Sequence, residues 1–326
     1  MRIGRSLKGG LLIISPAIDW LVAICAIFVA PFVWFIAHLN EHAPLTRAIF
    51  DRLNISILRR QYYSPVVFDL DIKRPLTAPR DLRGLDFNEA GQIAFIGRFN
   101  FQNELLSVPF SGGKGQYGYD NISYGVGDAE LLYDIIRHFK PKRICEVGSG
   151  HSTLMAIRAI RKNRELDPTY ACEHLCIEPF ENDWLDDIGV TVIRKKVEDC
   201  PVELFGSLEE NDILFIDSTH IIRPQGDVLY EYLTVIPTIK PGVLIHVHDV
   251  FTPRDYPPFW VLKKRRLWNE QYILEALLSC TPCFEILAAL NWLRNEHLDK
   301  LNNACPVLCR TPECQPGAFW FRRRSN

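Results

Sequence analysis

The sequence has no excess of charge of either sign. Its 326 residues include 37 Lys and Arg against 39 Asp and Glu, which gives a formal net charge of −2. A nucleic-acid-binding protein needs a clear basic excess to neutralise phosphates, so we expect no nucleic-acid partner. Charged residues still make up 23% of the chain and hydrophobic residues 48%, a composition that excludes a disordered chain and a collagen-like fibre.

Long apolar runs are absent beyond the first part of the chain, which argues against a transporter with several membrane spans. The run at residues 20–39 contains no Lys, Arg, Asp or Glu, and as a helix it would be roughly 30 Å long, the thickness of a bilayer's hydrocarbon core. No small-residue cleavage triplet follows it, which argues against a cleaved signal peptide. We therefore expect residues 20–39 to attach the chain to a membrane, as a full span or as a hairpin in one leaflet. A buried core helix is the alternative.

The ten cysteines lack the spacing of a zinc site. Cys280 and Cys283 are separated by two residues, but no second pair of this kind completes a set of four ligands. We interpret the cysteines as buried or idle thiols, with a structural zinc or disulfides as alternatives. Free thiols favour a reducing compartment, so we expect the domain that follows the apolar run on the cytoplasmic side of the membrane.

Basic residues flank the apolar run almost equally on its two sides. They are Arg2, Arg5 and Lys8 before it, and Arg47, Arg52, Arg59 and Arg60 after it. Their distribution therefore does not set the orientation of the run in a membrane.

Three regions follow from these patterns. Residues 1–44 form the predicted membrane-anchor segment. Residues 45–120 carry turn signals and aromatic residues without a long helical pattern, and we interpret them as a cap or linker region. Residues 121–326 form the main domain.

Helical and strand-like segments alternate in the main domain. The apolar pattern predicts strands at residues 143–147, 175–177, 190–193, 213–216 and 243–247, and a last strand at 317–323. It predicts helices at 129–139, 151–161 and 228–239. Such alternation indicates an α/β fold with a doubly wound, mostly parallel sheet. Ligands bind outside the carboxyl ends of the strands in these sheets, so the residues directly after each strand are candidates for a site.

The first strand leads into the sequence Glu-Val-Gly-Ser-Gly at residues 146–150. Gly148 and Gly150, with Ser149 between them, let a ligand approach the backbone, and the next helix points its first amides at that ligand. A dinucleotide site would have a third glycine where Thr153 stands. With the carboxylate of Glu146 nearby, a cofactor that carries an ammonium group fits better than a pyrophosphate.

Acidic residues also follow the second and third strands. Glu178 is placed to accept hydrogen bonds from both hydroxyls of a ribose. Glu198 or Asp199 is placed to contact the amino group of an adenine.

Together these segments resemble the successive motifs of class I S-adenosylmethionine-dependent methyltransferases. The likeness covers roughly residues 120–326 and is closest to a bacterial branch with the segments RHFKPKRICEVGSGHSTL, DILFIDSTH, PGVLIHVHDVFTPRDYP and WNEQYIL. It implies a Rossmann-like methyltransferase sheet and S-adenosyl-L-methionine as cofactor. It places the glycine turn at the methionine part, Glu146 at the ammonium group, Glu178 at the ribose, and Glu198 or Asp199 at the adenine.

Acids and histidines follow the fourth and fifth predicted strands, as Asp217 and His220 and as His248 and Asp249. These strands are neighbours in the family, so we expect the four side chains at one rim beside the transferred methyl group. In the favoured mechanism His248 or His220 is the general base and Asp217 or Asp249 orients it. In the other, Asp217 and Asp249 bind a divalent cation, as their counterparts do in metal-dependent catechol-type O-methyltransferases. We expect His246 in the core.

The resulting prediction is a membrane-attached methyltransferase that methylates a hydroxyl of a glycan, a lipid-linked saccharide or a small molecule. The alternatives are a non-catalytic scaffold on the same fold and a different transferase, such as an aminopropyl transferase.

Overall fold

The computed structural model describes residues 16–39, 42–57, 62–113, 115–180 and 182–324. The chain divides into two compact units, Met1–Asp69 and Leu70–Asn326. The first unit contains the predicted anchor segment and part of the predicted cap. The flanking basic residues Arg2, Arg5, Lys8, Arg59 and Arg60 lie outside the described residues.

The first unit is built on one long apolar helix. This helix, α1, spans Pro16–Leu39, and none of its residues is buried. It carries Pro31 in its interior and has a mean hydropathy of 2.5 over its most apolar stretch. At 1.5 Å per residue its 24 residues are about 36 Å long, enough to cross a bilayer by length and composition. A short helix, α2, follows at Pro44–Arg52.

The second unit is organised around a sheet of seven strands in the order β3-β2-β1-β4-β5-β7-β6. Its first five strands are parallel, and β7 pairs antiparallel with both β5 and β6. The strands are β1 Arg143–Val147, β2 Glu173–Ile177, β3 Thr191–Ile193, β4 Ile213–Ile216, β5 Leu244–Val247, β6 Phe284–Ala289 and β7 Phe319–Arg323. The predicted α/β fold with a mostly parallel sheet is confirmed.

Successive residues of the strands enter two separate apolar cores. Ile144 and Phe215 belong to one core and Cys145 and Leu214 to the other, because neighbouring side chains in a strand point to opposite faces of the sheet. Helices cover both faces, as a doubly wound sheet requires. The helices of this unit are α3 Glu89–Ile96, α4 Gln102–Leu106, α5 Asp128–Phe139, α6 His151–Leu166, α7 Glu203–Gly206, α8 Asp227–Tyr230, α9 Ile236–Thr238, α10 Glu270–Leu278 and α11 Leu290–Glu296.

The helix predicted at residues 228–239 differs from an uninterrupted α-helix. It consists of α8 and α9 joined by a turn of π-helix at Glu231–Val235. Such turns are rare and occur mostly at functional sites. Here the turn holds Glu231, which is buried and accepts a hydrogen bond from Ser218 Oγ at 3.0 Å.

Residues upstream of the predicted main domain contribute to its core. Phe95, Phe99 and Leu105, from the region of α3 and α4, are buried in the same apolar core as Leu131 and Ile135 of α5. The C-terminal part of the predicted cap is therefore integral to the packing of the second unit.

All ten cysteines are free thiols in the structure. Burial raises the pKa of Cys176 and Cys145 well above the usual value of a thiol, so these two sulfurs behave as small apolar groups. Cys280 and Cys283 are exposed.

Candidate active site

A cleft of about 590 Å³ opens at the carboxyl ends of the parallel strands. It has the size typical of sites that enclose a small molecule. Its described lining comes from the ends of β1, β2 and β4 and from the loops around them: Ile122, Ser123, Tyr124, Val147, Gly148, Ser149, Gly150, His151, Ser152, Ile177, Glu178, Pro179, Phe180, Asn182, Lys196, Val197, Glu198, Asp217, Ser218, Thr219, Arg223 and Asp227. The glycine turn and three of the predicted acids therefore share one cavity.

Val147 and Gly148 together connect the ends of β1, β2 and β4. Its N–H donates to Ile177 O at 3.0 Å, and the N–H of Asp217 donates to Val147 O at 2.9 Å. Gly148 has a φ of +76°, and a Cβ atom there would lie 1.8 Å from the carbonyl oxygen of Asp217. The glycine is therefore needed by the protein's own backbone, a constraint separate from the approach of a ligand.

Replacing Gly148 by Ala is expected to lower the free energy of unfolding by at least about 2 kcal/mol, because β1 and β4 must separate to admit the methyl group. Chemical denaturation of the wild type and the variant measures this change. Gly206→Ala is the control, since a Cβ atom at Gly206 meets nothing within 4 Å. Equal stability of the Gly148 variant and the wild type would show that the turn relaxes.

The next two residues of the turn face the cleft. A Cβ atom on Gly150 would meet only Asn182 Nδ2, at the ordinary distance of 3.5 Å, so the protein leaves open space there. The Gly150 N–H donates to Thr153 Oγ1 at 3.0 Å, which fixes the start of α6. The hydroxyl of Ser149 is buried and makes no hydrogen bond to any described residue. A polar ligand in the cleft would satisfy this hydroxyl.

The predicted ribose and adenine acids differ in their exposure to the cleft. Glu178 lines it and accepts hydrogen bonds from the N–H groups of Phe180 at 2.9 Å and Ser149 at 3.4 Å. These bonds orient the carboxylate at the edge of the cleft, and a carboxylate is an acceptor suited to hydroxyl groups. Glu198 also lines the cleft, whereas Asp199 is exposed outside its lining. Of the two predicted adenine contacts, the geometry favours Glu198.

Glu146 lies one layer below the cleft. It is buried, and it accepts hydrogen bonds from Ser152 Oγ at 2.6 Å and Thr153 Oγ1 at 2.9 Å, while His174 Nε2 lies 2.7 Å from its Oε2. Its carboxylate thus holds the first turn of α6 and the middle of β2. The assignment of Glu146 to the ammonium group of the cofactor stays a prediction. Because Glu146 does not line the cleft, it would influence a bound ammonium group only through the first turn of α6.

The four predicted rim residues come together after β4 and β5. Asp217 Oδ1 lies 3.3 Å from His220 Nε2 and 3.4 Å from His248 Nδ1. Asp249 completes the cluster, with its oxygens 3.7 Å from His220 Nε2 and 3.8 Å from His248 Nδ1. Asp217 lines the cleft, whereas both histidines are buried behind it. We call these four residues the Asp–His cluster.

Two further carboxylates hold the outer nitrogens of the histidines. His220 Nδ1 lies 2.8 Å from Glu270 Oε2, and His248 Nε2 lies 3.4 Å from Asp128 Oδ2. Neither acid was assigned a role from the sequence. Each stands in the first turn of a helix, α10 or α5, where an acidic residue is common for helix stability alone.

The backbone at the cluster is strained. His220 has a φ of +61° and Asp249 a φ of +57°, in the left-handed region that residues other than glycine seldom adopt. The N–H groups of Asn269 and Glu270 donate to His220 O at 2.9 and 3.2 Å, which helps to hold this conformation. Such strain costs about 1–3 kcal/mol per residue and concentrates at functional sites.

The electrostatics of the Asp–His cluster favour charged groups. Burial opposes charge on His220, but its bonds to Asp217 and Glu270 outweigh burial and raise its pKa to about 10. Burial likewise opposes charge on His248, but Asp249 and Asp217 hold its pKa well above the usual value. Burial would raise the pKa of Asp217, yet the two histidines hold it below its usual range. With these side chains alone, the charged forms of both histidines are therefore favoured.

His246 lies in the core, as expected. Its ring stacks on Phe215 with centroids 4.1 Å apart and packs against Trp320. Burial lowers its pKa well below the usual value, and neither ring nitrogen bonds to any described residue.

Comparison with known proteins agrees with this geometry. A family model described as a methyltransferase domain matches residues 145–250, from β1 to the residue after Asp249. A protein of Archaeoglobus fulgidus described as uncharacterized is 27% identical over 168 residues, which cover 47% of this chain and 73% of that relative. Residues 145–250, which the family model matches, contain the glycine turn and the whole Asp–His cluster. The chain therefore carries a methyltransferase domain.

Proposed function

We propose that the protein is a membrane-attached, S-adenosylmethionine-dependent methyltransferase that methylates a hydroxyl group of its acceptor. The observation that carries the proposal is the convergence of Glu178, Glu198 and Asp217 on one cleft with the glycine turn. These acids follow three different strands, β2, β3 and β4, so their meeting is a property of the fold and not of local sequence.

The residues present fit this cofactor. The unbonded hydroxyl of Ser149 and the open space at Gly150 provide a polar and uncrowded position beside α6. Glu178, held by the N–H groups of Ser149 and Phe180, suits a pair of ribose hydroxyls, and Glu198 suits the amino group of an adenine. When bound, the cofactor supplies an electrophilic methyl group on a sulfonium, whose positive charge the surrounding carboxylates favour.

The acceptor hydroxyl needs help to lose its proton, since its pKa is far above neutral. The Asp–His cluster fits a divalent cation better than a free histidine base. Ligands about 2.1 Å from one ion lie roughly 3.0–3.4 Å apart, close to the separations between Asp217 and the two histidines. Glu270 and Asp128 orient the histidines as outer carboxylates orient metal-binding imidazoles.

We therefore propose that Asp217, Asp249 and His248, whose ligand atoms lie within 4.8 Å of one another, hold a divalent cation beside His220, in place of the histidine base favoured by the sequence. A bound cation would lower the pKa of a nearby hydroxyl. Asp217, on the cleft side, fixes the position of the acceptor relative to the cofactor site.

Binding of S-adenosylmethionine and of its demethylated product tests the proposal. We expect both to bind the full-length protein in detergent, measured by calorimetry. Transfer of labelled methyl groups to fractionated membrane extracts and glycans then identifies the acceptor. Binding without transfer to any fraction would favour a non-catalytic scaffold, and absence of binding to both compounds would rule out the proposed activity.

The membrane attachment rests on α1. We expect the full chain to sediment with membranes, to stay there in high salt and to be released by detergent, because α1 exposes only apolar surface over most of its length. Release by salt alone would show that α1 does not enter the bilayer.

The orientation can be tested with Cys280 and Cys283, which are exposed thiols in the second unit. If the domain is cytoplasmic, a membrane-impermeant maleimide should label them only after the cells are lysed.

A further inference from the structure

A second cavity, the α6 groove, runs along one side of α6 and has a volume of about 520 Å³. One wall comes from α6 itself, with Leu154, Ile157, Arg158, Arg161, Lys162 and Glu165. The rest of the lining comes from described residues between Asn103 and Tyr117, together with Tyr133 of α5 and Ile188. None of the groups proposed above for cofactor or cation binding lies in this groove.

The α6 groove and the cofactor cleft adjoin a third cavity. This cavity of about 270 Å³ shares Gly115, Gln116 and Leu154 with the groove, and His151 and Asn182 with the cleft. The three cavities therefore lie in a row along the helix, and we call this row the path.

One face of α6 lines this whole path. His151, Leu154, Arg158 and Arg161 are three or four residues apart, the spacing of neighbours on a single helix face. From the helical rise, Arg158 and Arg161 lie about 10 and 15 Å along the axis from His151 at the cleft. A molecule with one end in the cleft could thus reach both arginines.

Two positive charges in the groove have no ion-pair partner among the described residues. Lys162 pairs with Glu165 at 2.8 Å, and the carboxylate of Glu104 pairs with Arg137 at 2.8 Å. Arg158 and Arg161 form no ion pair with any of the residues that the structure describes. Guanidinium groups in a groove are suited to bind a carboxylate or a phosphate through paired hydrogen bonds.

The lining of the path favours a saccharide over a nucleic acid. The connecting cavity is lined by four glycines and by polar side chains, namely Gly112, Gly113, Gly115, Gly118, Gln116, Asp120 and Asn121. Backbone N–H and C=O groups are suitable partners for sugar hydroxyls. The tyrosines of the α6 groove, Tyr117 and Tyr133, are buried, so among its described lining residues no exposed aromatic ring can stack on a base.

We propose that the α6 groove binds an anionic group of the acceptor and that the acceptor is an acidic oligosaccharide. Its reacting hydroxyl would lie in the cleft, and a carboxylate or phosphate a few sugar residues away would bind Arg158 and Arg161. This inference rests on the proposed methyltransferase function and adds the substrate class to it.

Binding of defined probes to the full-length protein in detergent tests the inference without the need for turnover. The probes are fluorescent tetragalacturonate, a phosphorylated tetrasaccharide, neutral maltotetraose and a short oligoribonucleotide, each measured by fluorescence anisotropy. We expect an acidic saccharide to bind at least about tenfold more tightly than maltotetraose. The double variant Arg158→Gln/Arg161→Gln should weaken that binding by about tenfold or more, the range for lost charge-assisted hydrogen bonds.

The matched control is Arg164→Gln, which removes a charge from the same helix outside the lining of the groove. It should change the affinity for the saccharide less than about twofold, and none of the variants should alter the affinity for S-adenosylmethionine, because the altered arginines do not line its proposed site. The carboxylate and phosphate probes distinguish the two sources of negative charge.

Three results would overturn the inference: equal binding of the neutral and acidic saccharides, equal loss in the control and the double variant, or tighter arginine-dependent binding of the oligoribonucleotide. Failure of every probe to bind would do the same. Any of these results can occur while S-adenosylmethionine still binds, so failure of the substrate class is distinguishable from failure of the proposed function.

Discussion

Replacing Asp217 by Asn is expected to lower methyl transfer by about 10²–10⁴, while S-adenosylmethionine still binds with near wild-type affinity. The amide keeps the size of the side chain but removes the negative charge that lies 3.3 and 3.4 Å from the ring nitrogens of His220 and His248. It therefore removes one proposed cation ligand without opening a cavity. Calorimetry should show that the variant has lost Mn²⁺ binding as well as turnover.

Asp199→Asn is the matched control for this experiment, because Asp199 is an exposed carboxylate outside the lining of the cleft. It should leave turnover and Mn²⁺ binding unchanged. Treatment of the wild type with a chelator should reproduce the loss of activity, and added Mg²⁺ or Mn²⁺ should restore it. If activity survives thorough chelation but is lost in Asp217→Asn, the proposed cation site is wrong. His220 or His248 would then be the general base.

The fold was largely predictable because its strands are continuous apolar runs. Buried parallel strands such as β4, Ile213–Ile216, are apolar on both faces, and each is followed by a turn or a polar residue that marks its end. The edge strand β6, Phe284–Ala289, was not predicted. It begins with two half-buried residues, and Glu285 there pairs with Arg322 of β7, a contact between distant parts of the chain that no local pattern reveals.

The Asp–His cluster shows the corresponding limit for the site. The positions of Asp217 and Asp249 after strands β4 and β5 predict their proximity, because the carboxyl ends of adjacent parallel strands meet at one edge. The depth of the histidines was not predictable. It depends on the left-handed backbone at His220 and on Glu270 and Asp128, which helices α10 and α5 bring from elsewhere in the sequence.

Gly148 and Gly150 illustrate how one motif contains two different constraints. The sequence predicts that both glycines allow a cofactor to approach the backbone. In the structure, a side chain at Gly148 collides with the carbonyl of Asp217, whereas one at Gly150 meets only Asn182 at 3.5 Å. A substitution at Gly148 therefore tests the fold, and a substitution at Gly150 tests the ligand.

Gly150→Val is accordingly expected to weaken S-adenosylmethionine binding by at least about a hundredfold while the protein stays folded, because the branched side chain would fill space that the proposed cofactor needs. Calorimetry measures the affinity, and thermal denaturation without ligand shows whether the fold is kept. Gly206→Val provides the control for the added side chain, since a Cβ atom at Gly206 has open space and the residue lies outside the cleft.

A second variant of the same cleft separates a blocked site from a lost contact. Glu178→Gln should weaken the binding of S-adenosylmethionine by about 10- to 100-fold, because the amide retains one acceptor oxygen but loses the charge that strengthens bonds from ribose hydroxyls. If Gly150→Val is folded and binds the cofactor as tightly as the wild type, the cleft beside α6 is not the cofactor site. If Gly150→Val loses binding and Glu178→Gln does not, the cleft remains the cofactor site but Glu178 does not bind the ribose. The valine blocks the site by its volume, whereas the Glu178 variant affects binding only if its carboxylate contacts the cofactor.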